Sequence, residues 1–129
     1  MTFKKIYVCS PLRAETKLQH DMNMFLAREY EKIAAEHFSC RAVAPHGYVS
    51  YILDEDIPEE RQLGLSFSKS VLDTCDALAI FGDYISEGMY NEIMHAFEKN
   101  LPVYKYDGRD FCRVCDIECV IRIKAYKRR

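Results

Sequence analysis

The chain lacks the features that would place it in a membrane, on nucleic acid or outside the cell. Its 129 residues contain no run near the ~18 consecutive apolar residues of a membrane span. Eighteen Lys and Arg stand against 20 Asp and Glu, a formal net charge of −2, which gives no reason to expect a nucleic-acid or acidic-membrane partner. The basic tail Lys127-Arg128-Arg129 reads as a solvated end. Met1-Thr2-Phe3-Lys4-Lys5 leads straight into a strand-like segment, with no apolar h-region and no small-residue cleavage site, so the expected location is cytoplasmic. There is no internal repeat, low-complexity stretch or linker, and the length suits one domain over residues 1–129. The five glycines never fall into the spacing of a dinucleotide or P-loop fingerprint. A closed zinc site needs four ligands. The one cysteine cluster, Cys112-x2-Cys115-x3-Cys119, supplies three, so neither metal nor cofactor is expected. Cys9, Cys40 and Cys75 each adjoin an apolar segment and read as small, reduced core residues.

What is present is strand followed by helix, repeated. Lys5-Ile6-Tyr7-Val8-Cys9 is a short β-rich run stopped at Ser10-Pro11. Leu18, Met22, Phe25, Leu26, Tyr30 and Ile33 then recur at three- and four-residue steps, which predicts an amphipathic helix from Ala14 to about His37. Arg41 to Ala44 is a second strand, ended by Pro45-His46-Gly47, and Tyr48 to Ile57 reads as a long loop or a broken turn of helix. Pro58 suits a helix start, with Glu59 and Glu60 in the first turn and Leu63, Phe67 and Val71 on one face. Ala77 to Phe81 is an uninterrupted apolar run, as in a central parallel strand. Met89 to Lys99 reads as a helix with Met89, Ile93, Ala96 and Phe97 inward, and Pro102 to Tyr106 as a fourth strand. Cys119 to Tyr126 is expected to be a last strand. The class is therefore α/β: a mostly parallel sheet of four to five strands with helices on both faces, Rossmann-like or flavodoxin-like.

Open sheets of this kind bind ligands at the carboxyl ends of their strands. Ser10, Arg13, His46, Asp83, Ser86 and Asp107 should share that rim. Ser10-Pro11-Leu12-Arg13 joins a strand to a helix, where free N–H groups, a hydroxyl and a guanidinium suit a phosphate. Ser10 as a plain cap and Arg13 as a surface residue is the other reading. Glu92 lies in the opening turns of a helix, where the dipole favours its carboxylate, yet it shares a face with inward Met89 and Ala96. A carboxylate on a buried face is costly unless paired or used. With Asp83 at the same rim, two carboxylates suit glycosidic chemistry. A solvated Glu92 is the alternative that local pattern leaves open.

The segment Cys75 to Asp83, continued through Ser86-x-Gly88-x3-Glu92-x3-Ala96, resembles the nucleoside 2-deoxyribosyltransferase superfamily and its sister group, the 2′-deoxynucleoside 5′-phosphate N-hydrolases. Tyr7-Val8-Cys9-Ser10, Arg13, Asp76 and Pro45-His46 sit correspondingly, and the resemblance spans roughly residues 4 to 106. It implies that Glu92 attacks C1′ of a (deoxy)ribosyl group, Asp83 assists departure of the base and Tyr7 orients Glu92. It also implies that Ser10, Arg13 and Ser86, beside Gly88, hold a 5′-phosphate. His46 itself reads as a loop residue, with a base contact as the alternative. The chain departs from the pattern in the bulky Tyr90, Asn91 and Met94 around the Glu, which predicts a narrower sugar pocket. A homodimer or larger homo-oligomer is expected, as is common in the superfamily. Two functional readings follow: an N-glycosidase or deoxyribosyltransferase acting on a (deoxy)nucleoside 5′-monophosphate, and a non-catalytic module that senses or sequesters a nucleotide.

Overall fold

The computed structural model describes residues 2–122. Five strands, β1 (Lys5–Cys9), β2 (Arg41–Val43), β3 (Ala77–Ile80), β4 (Val103–Tyr106) and β5 (Phe111–Val114), form one sheet in the order β2-β1-β3-β4-β5. The first four are parallel, and β5 adds an antiparallel edge. The order reverses direction between β1 and β3, the switch point at which flavodoxin-like sheets bind ligands.

Alternation along β1 sorts the core onto two faces. Ile6 and Val8 face α1 (Lys17–Phe38), where Ala77, Ala79 and Phe81 meet Ala27 and Ala34. Tyr7 and Cys9 face the other way, toward α2 (Pro58–Leu72) and α3 (Glu87–Glu98), where Leu78 and Ile80 meet Leu72, Met89, Ile93 and Ala96. Asp76, just before β3, accepts hydrogen bonds from the backbone of Lys4 (2.8 Å) and Lys5 (3.2 Å), which fixes the register of the two central strands. Pro58 opens α2 as expected, while the stretch from Pro45 to Tyr51 forms two short 3-10 turns.

Three expectations are corrected. The apolar stripe at the start of α1 faces outward: Leu18 is 78% exposed, and Met22 and Phe25 about half. The inward positions are Asn23, Met24, Ala27 and Ala34. Asn23 sets this rotation, because its buried amide donates to the carbonyl of Leu12 at 3.0 Å. Likewise Leu63 and Phe67 do share a face of α2, but that face is exposed, and Gly64, Ser68 and Leu72 turn inward. The last strand is also displaced. Residues 119–122 belong to a helix, α4 (Ile117–Arg122), beneath which the Asp116 carboxylate accepts from the Cys119 N–H at 2.9 Å; residues 123–126 lie outside the described ones. The edge strand is β5, reached through a turn in which Asp107 caps the N–H groups of Arg109 and Asp110.

Gly82, immediately after β3, has φ +101°, and a Cβ there would lie 2.9 Å from Pro11 in the turn after β1. Gly108 has φ +103° with open space around it. Both positions penalise any side chain by roughly 1–2 kcal/mol, but only Gly82 adds an overpacked contact. Gly82→Ala should therefore be less stable than Gly108→Ala by about 1 kcal/mol or more, read from the midpoints of urea unfolding.

Candidate active site

The sheet delivers two side chains to one helix residue. Tyr7 and Cys9 project from the buried strand β1 toward α3, and neither is exposed. On α3, Ser86 caps the first turn by accepting from the Met89 N–H at 3.1 Å. That start places Met89, Ile93 and Ala96 inward, and Glu92, on the same face, reaches β1. The Tyr7 hydroxyl donates to Glu92 Oε2, and the Cys9 thiol lies 3.5 Å from Oε1. His46, in the turn after β2, brings Nε2 to 3.3 Å from the same carboxylate. The side chains of Glu92 and His46 are only 11% and 12% exposed.

These neighbours shift one another. Burial raises the Tyr7 pKa well above its ordinary value, and the charge and hydrogen bond of Glu92 push in the same direction. The Ser68 hydroxyl on α2 faces the same phenol and acts oppositely. Cys9 is raised well above the thiol range by burial first and Glu92 second, so it is a neutral thiol and not a thiolate nucleophile. Burial is the largest influence on the His46 imidazole and works against its charge. The charge and hydrogen bond of Glu92, with the charge of Glu55, outweigh it, and the imidazole stands above its ordinary 6.5.

Buried polar atoms without partners are rare and call for an explanation. Three side chains among the described residues carry one: Ser10 Oγ, His46 Nδ1 and Glu55 Oε2. Ser10 ends β1, His46 follows β2, and Glu55 acts on His46 electrostatically. Glu55 also lines a cleft of about 780 Å³ between the start of α1 and the segment 50–56. Arg13, exposed, stands on the α1 side of that cleft with Lys17 and His20.

The other expected residues are placed as follows. Asp83 is exposed, and its charge bears on Tyr30 of α1; it is not among the hydrogen-bond partners of Glu92. The Ser86 hydroxyl is engaged as the cap of α3, and a Cβ on Gly88 would meet that hydroxyl alone, at 4.0 Å. Met94 turns away from Glu92 into a second cavity with Phe97 and Leu101, whereas Tyr90 packs on the core below α3. Asp107 is spent on its own turn. All six cysteines are free, and among the described residues no group of three or more His, Cys, Asp or Glu could hold a metal ion. Among them, too, no helix is long and apolar enough to cross a membrane.

The sequence pattern did not single out Cys9 and Ser68 as neighbours of the Tyr7–Glu92 pair, nor Glu55 as a neighbour of His46. Cys9 was legible in principle, since residues two apart on a strand share a face. Glu55 lies in a loop without periodicity and gave no signal.

Among solved structures, a 2-deoxyribosyltransferase from the psychrotolerant bacterium Bacillus psychrosaccharolyticus matches with a TM-score of 0.57, covering 95% of this chain and 85% of that one at 16% sequence identity. A likeness at that identity is one of fold, and it agrees with the α/β sheet described above. No curated protein matches the sequence. The model of a domain of unknown function, DUF7768, matches residues 4–106, from the start of β1 to the end of β4. That stretch holds every residue gathered around Glu92, and by it the chain belongs to the DUF7768 family.

Proposed function

We propose that the protein cleaves the N-glycosidic bond of a (deoxy)nucleoside 5′-monophosphate, with Glu92 as the nucleophile and either water or a second base as acceptor. The observation that carries this reading is the held carboxylate: Tyr7, Cys9 and His46 converge on Glu92 at the switch point of the sheet. A carboxylate oriented and largely buried in this way suits attack on an anomeric carbon. Tyr7 orients Glu92. Ser10, with its buried and unpartnered hydroxyl, and Arg13, in the cleft wall, are the phosphate-binding candidates, with Ser86 and Gly88 at the start of α3. The fold likeness to a 2-deoxyribosyltransferase supports the same chemical class.

A second reading, a nucleotide-binding module without turnover, is favoured by one observation: both Glu92 oxygens already have partners and the side chain is 11% exposed. Assembly belongs to the proposal as well. The large apolar side chains of α1 and α2 that face outward suit contact with a second copy of the chain.

Incubation with a panel of (deoxy)nucleoside monophosphates, followed by chromatography, should show free base. Glu92→Gln should abolish its release. Tyr7→Phe, which removes one charge-assisted hydrogen bond, should slow it about 10- to 100-fold. Tight binding with no turnover, the same in wild type and Glu92→Gln, would leave the binding-module reading standing alone.

His46 makes a second prediction, with a definite sign. Its raised folded pKa means that its stabilising pair with Glu92 is fully present below about pH 6.5 and is lost as pH rises through the folded pKa. Protonated His46 also holds the Glu92 electron pairs, so turnover should rise over the same interval in which stability falls. Thermal melts and kcat/KM between pH 6 and 9 check both trends, and His46→Gln should flatten both. For assembly, light scattering should give a mass above that of the 15.1 kDa chain, and Leu63→Glu with Phe67→Glu should reduce it to the monomer's.

A further inference from the structure

We infer that Arg28 and Glu31 of α1 are positioning residues for the site: they clamp the turn after β2 on both sides of His46 and so set where its imidazole meets Glu92. The glycosidic reading above enters only through the effect of this clamp on turnover. α1 packs on the face of the sheet that carries Ile6 and Val8, and α3 on the opposite face, with Tyr7 and Cys9. The turn Pro45–Gly47 links the two layers. Its one long polar side chain, His46, reaches Glu92 of α3 through Nε2 at 3.3 Å, while the backbone around it is tied to α1. On one side the Glu31 carboxylate accepts from the Ala44 N–H at 3.1 Å. On the other the Arg28 guanidinium donates to the Gly47 carbonyl at 2.8 Å. Both residues reach further along the chain: the Tyr48 hydroxyl lies 3.5 Å from Glu31, and the Arg28 guanidinium lies 5.8 Å from the centre of the Tyr51 ring.

Three features make this a clamp on His46 in particular. Arg28 and Glu31 stand three residues apart on α1, so they share one face of the helix and act on the turn together. Gly47 gives the Arg28 stem its path, since a Cβ there would lie 2.8 Å from Arg28 Cγ. The turn is also closed on itself, with the Gly47 N–H on the Ala44 carbonyl at 2.9 Å and the Tyr48 N–H on the Pro45 carbonyl at 3.0 Å, so holding its two ends holds His46 between them. The imidazole adds little to its own placement, because Nε2 meets Glu92 and Nδ1 has no partner. At 3.3 Å the contact with Glu92 is already at the long end of a hydrogen bond, and a displacement of the turn by about 1 Å breaks it.

The test follows the His46 ring by NMR titration of the full chain, its signal assigned from His46→Gln. Burial works against the charge of this imidazole, and Glu92 with Glu55 outweighs it, so the wild-type midpoint stands above 6.5. Arg28→Met keeps the stem and removes the donor. Glu31→Ala removes the acceptor, and Glu31→Gln returns an acceptor oxygen to the Ala44 N–H. In Arg28→Met and Glu31→Ala the midpoint should shift down toward 6.5, and in Glu31→Gln it should return most of the way to that of the wild type. The interval over which kcat/KM rises with pH should shift down by the same amount. Gly108→Ala, strained far from the turn, controls for stability alone and should leave the midpoint where it was, with thermal melts confirming that each variant is folded. An unmoved midpoint in both clamp variants, an equal shift in Gly108→Ala, or the same shift in Glu31→Gln as in Glu31→Ala overturns the inference and leaves Glu92 chemistry intact. Failure of the glycosidic reading shows differently: no nucleoside monophosphate is turned over, while the NMR midpoints still decide the clamp.

Discussion

The bond between Tyr7 and Glu92 joins the two layers on which the site is built. It crosses from the middle of the sheet to α3 in a region otherwise filled by Leu78, Ile80, Met89 and Ile93. A carboxylate in such surroundings is expensive unless hydrogen-bonded. Glu92 is tolerated because β1, clamped between β2 and β3, presents a phenol and a thiol to it, and because the turn after β2 presents His46. The register of α3 is fixed from the other side, by Ser86 at its cap and the apolar row of Met89, Ile93 and Ala96. A shift of α3 by one residue would place a different side chain over Tyr7 and leave a phenol and an imidazole in the core unpaired.

Around this satisfied centre lie atoms that are not satisfied. Ser10 Oγ, His46 Nδ1 and Glu55 Oε2 are buried and unpartnered, and each belongs to a segment near the carboxyl ends of β1 and β2 or to the cleft beside them. Each such atom costs of the order of 1–3 kcal/mol. The fold accepts this cost in one region, while the polar side chains of Asn23, Asp76 and Ser86 elsewhere are hydrogen-bonded.

Much of this was legible in the chain. The apolar run of Ala77 to Phe81 could only be a central strand, and the spacing of Met89, Glu92, Ile93 and Ala96 put a carboxylate on an inward helix face. What pattern could not give was orientation where small residues do the packing. Ala27, Ala34, Gly64 and Ser68 carry little hydrophobic signal, yet they face the sheet, while Leu18, Met22, Leu63 and Phe67 carry a strong one and face outward. Periodicity reports that a helix has an apolar stripe; it does not report which stripe the sheet requires. The edge strand was hidden for a related reason. Phe111 to Val114 has a cysteine and an arginine at its exposed centre, whereas the more apolar run after Cys119 begins in a helix capped by Asp116. His46 and Glu55 lie in turns, where their partners are set by tertiary contact alone.

The turn after β1 limits how a phosphate can be held. In dinucleotide-binding sheets glycines at this turn let the backbone approach the phosphate and offer N–H groups to it. Here the corresponding residue after Ser10 is Pro11, which has no N–H to offer. Its ring is packed against Gly82 so closely that a Cβ on Gly82 would lie 2.9 Å from it, so the space between the ends of β1 and β3 is occupied. At Pro11 itself the backbone therefore has no N–H to offer to an anion at the switch point. The two side chains at this turn differ in kind: Ser10 is fixed and buried, Arg13 exposed and on the rim of the cleft.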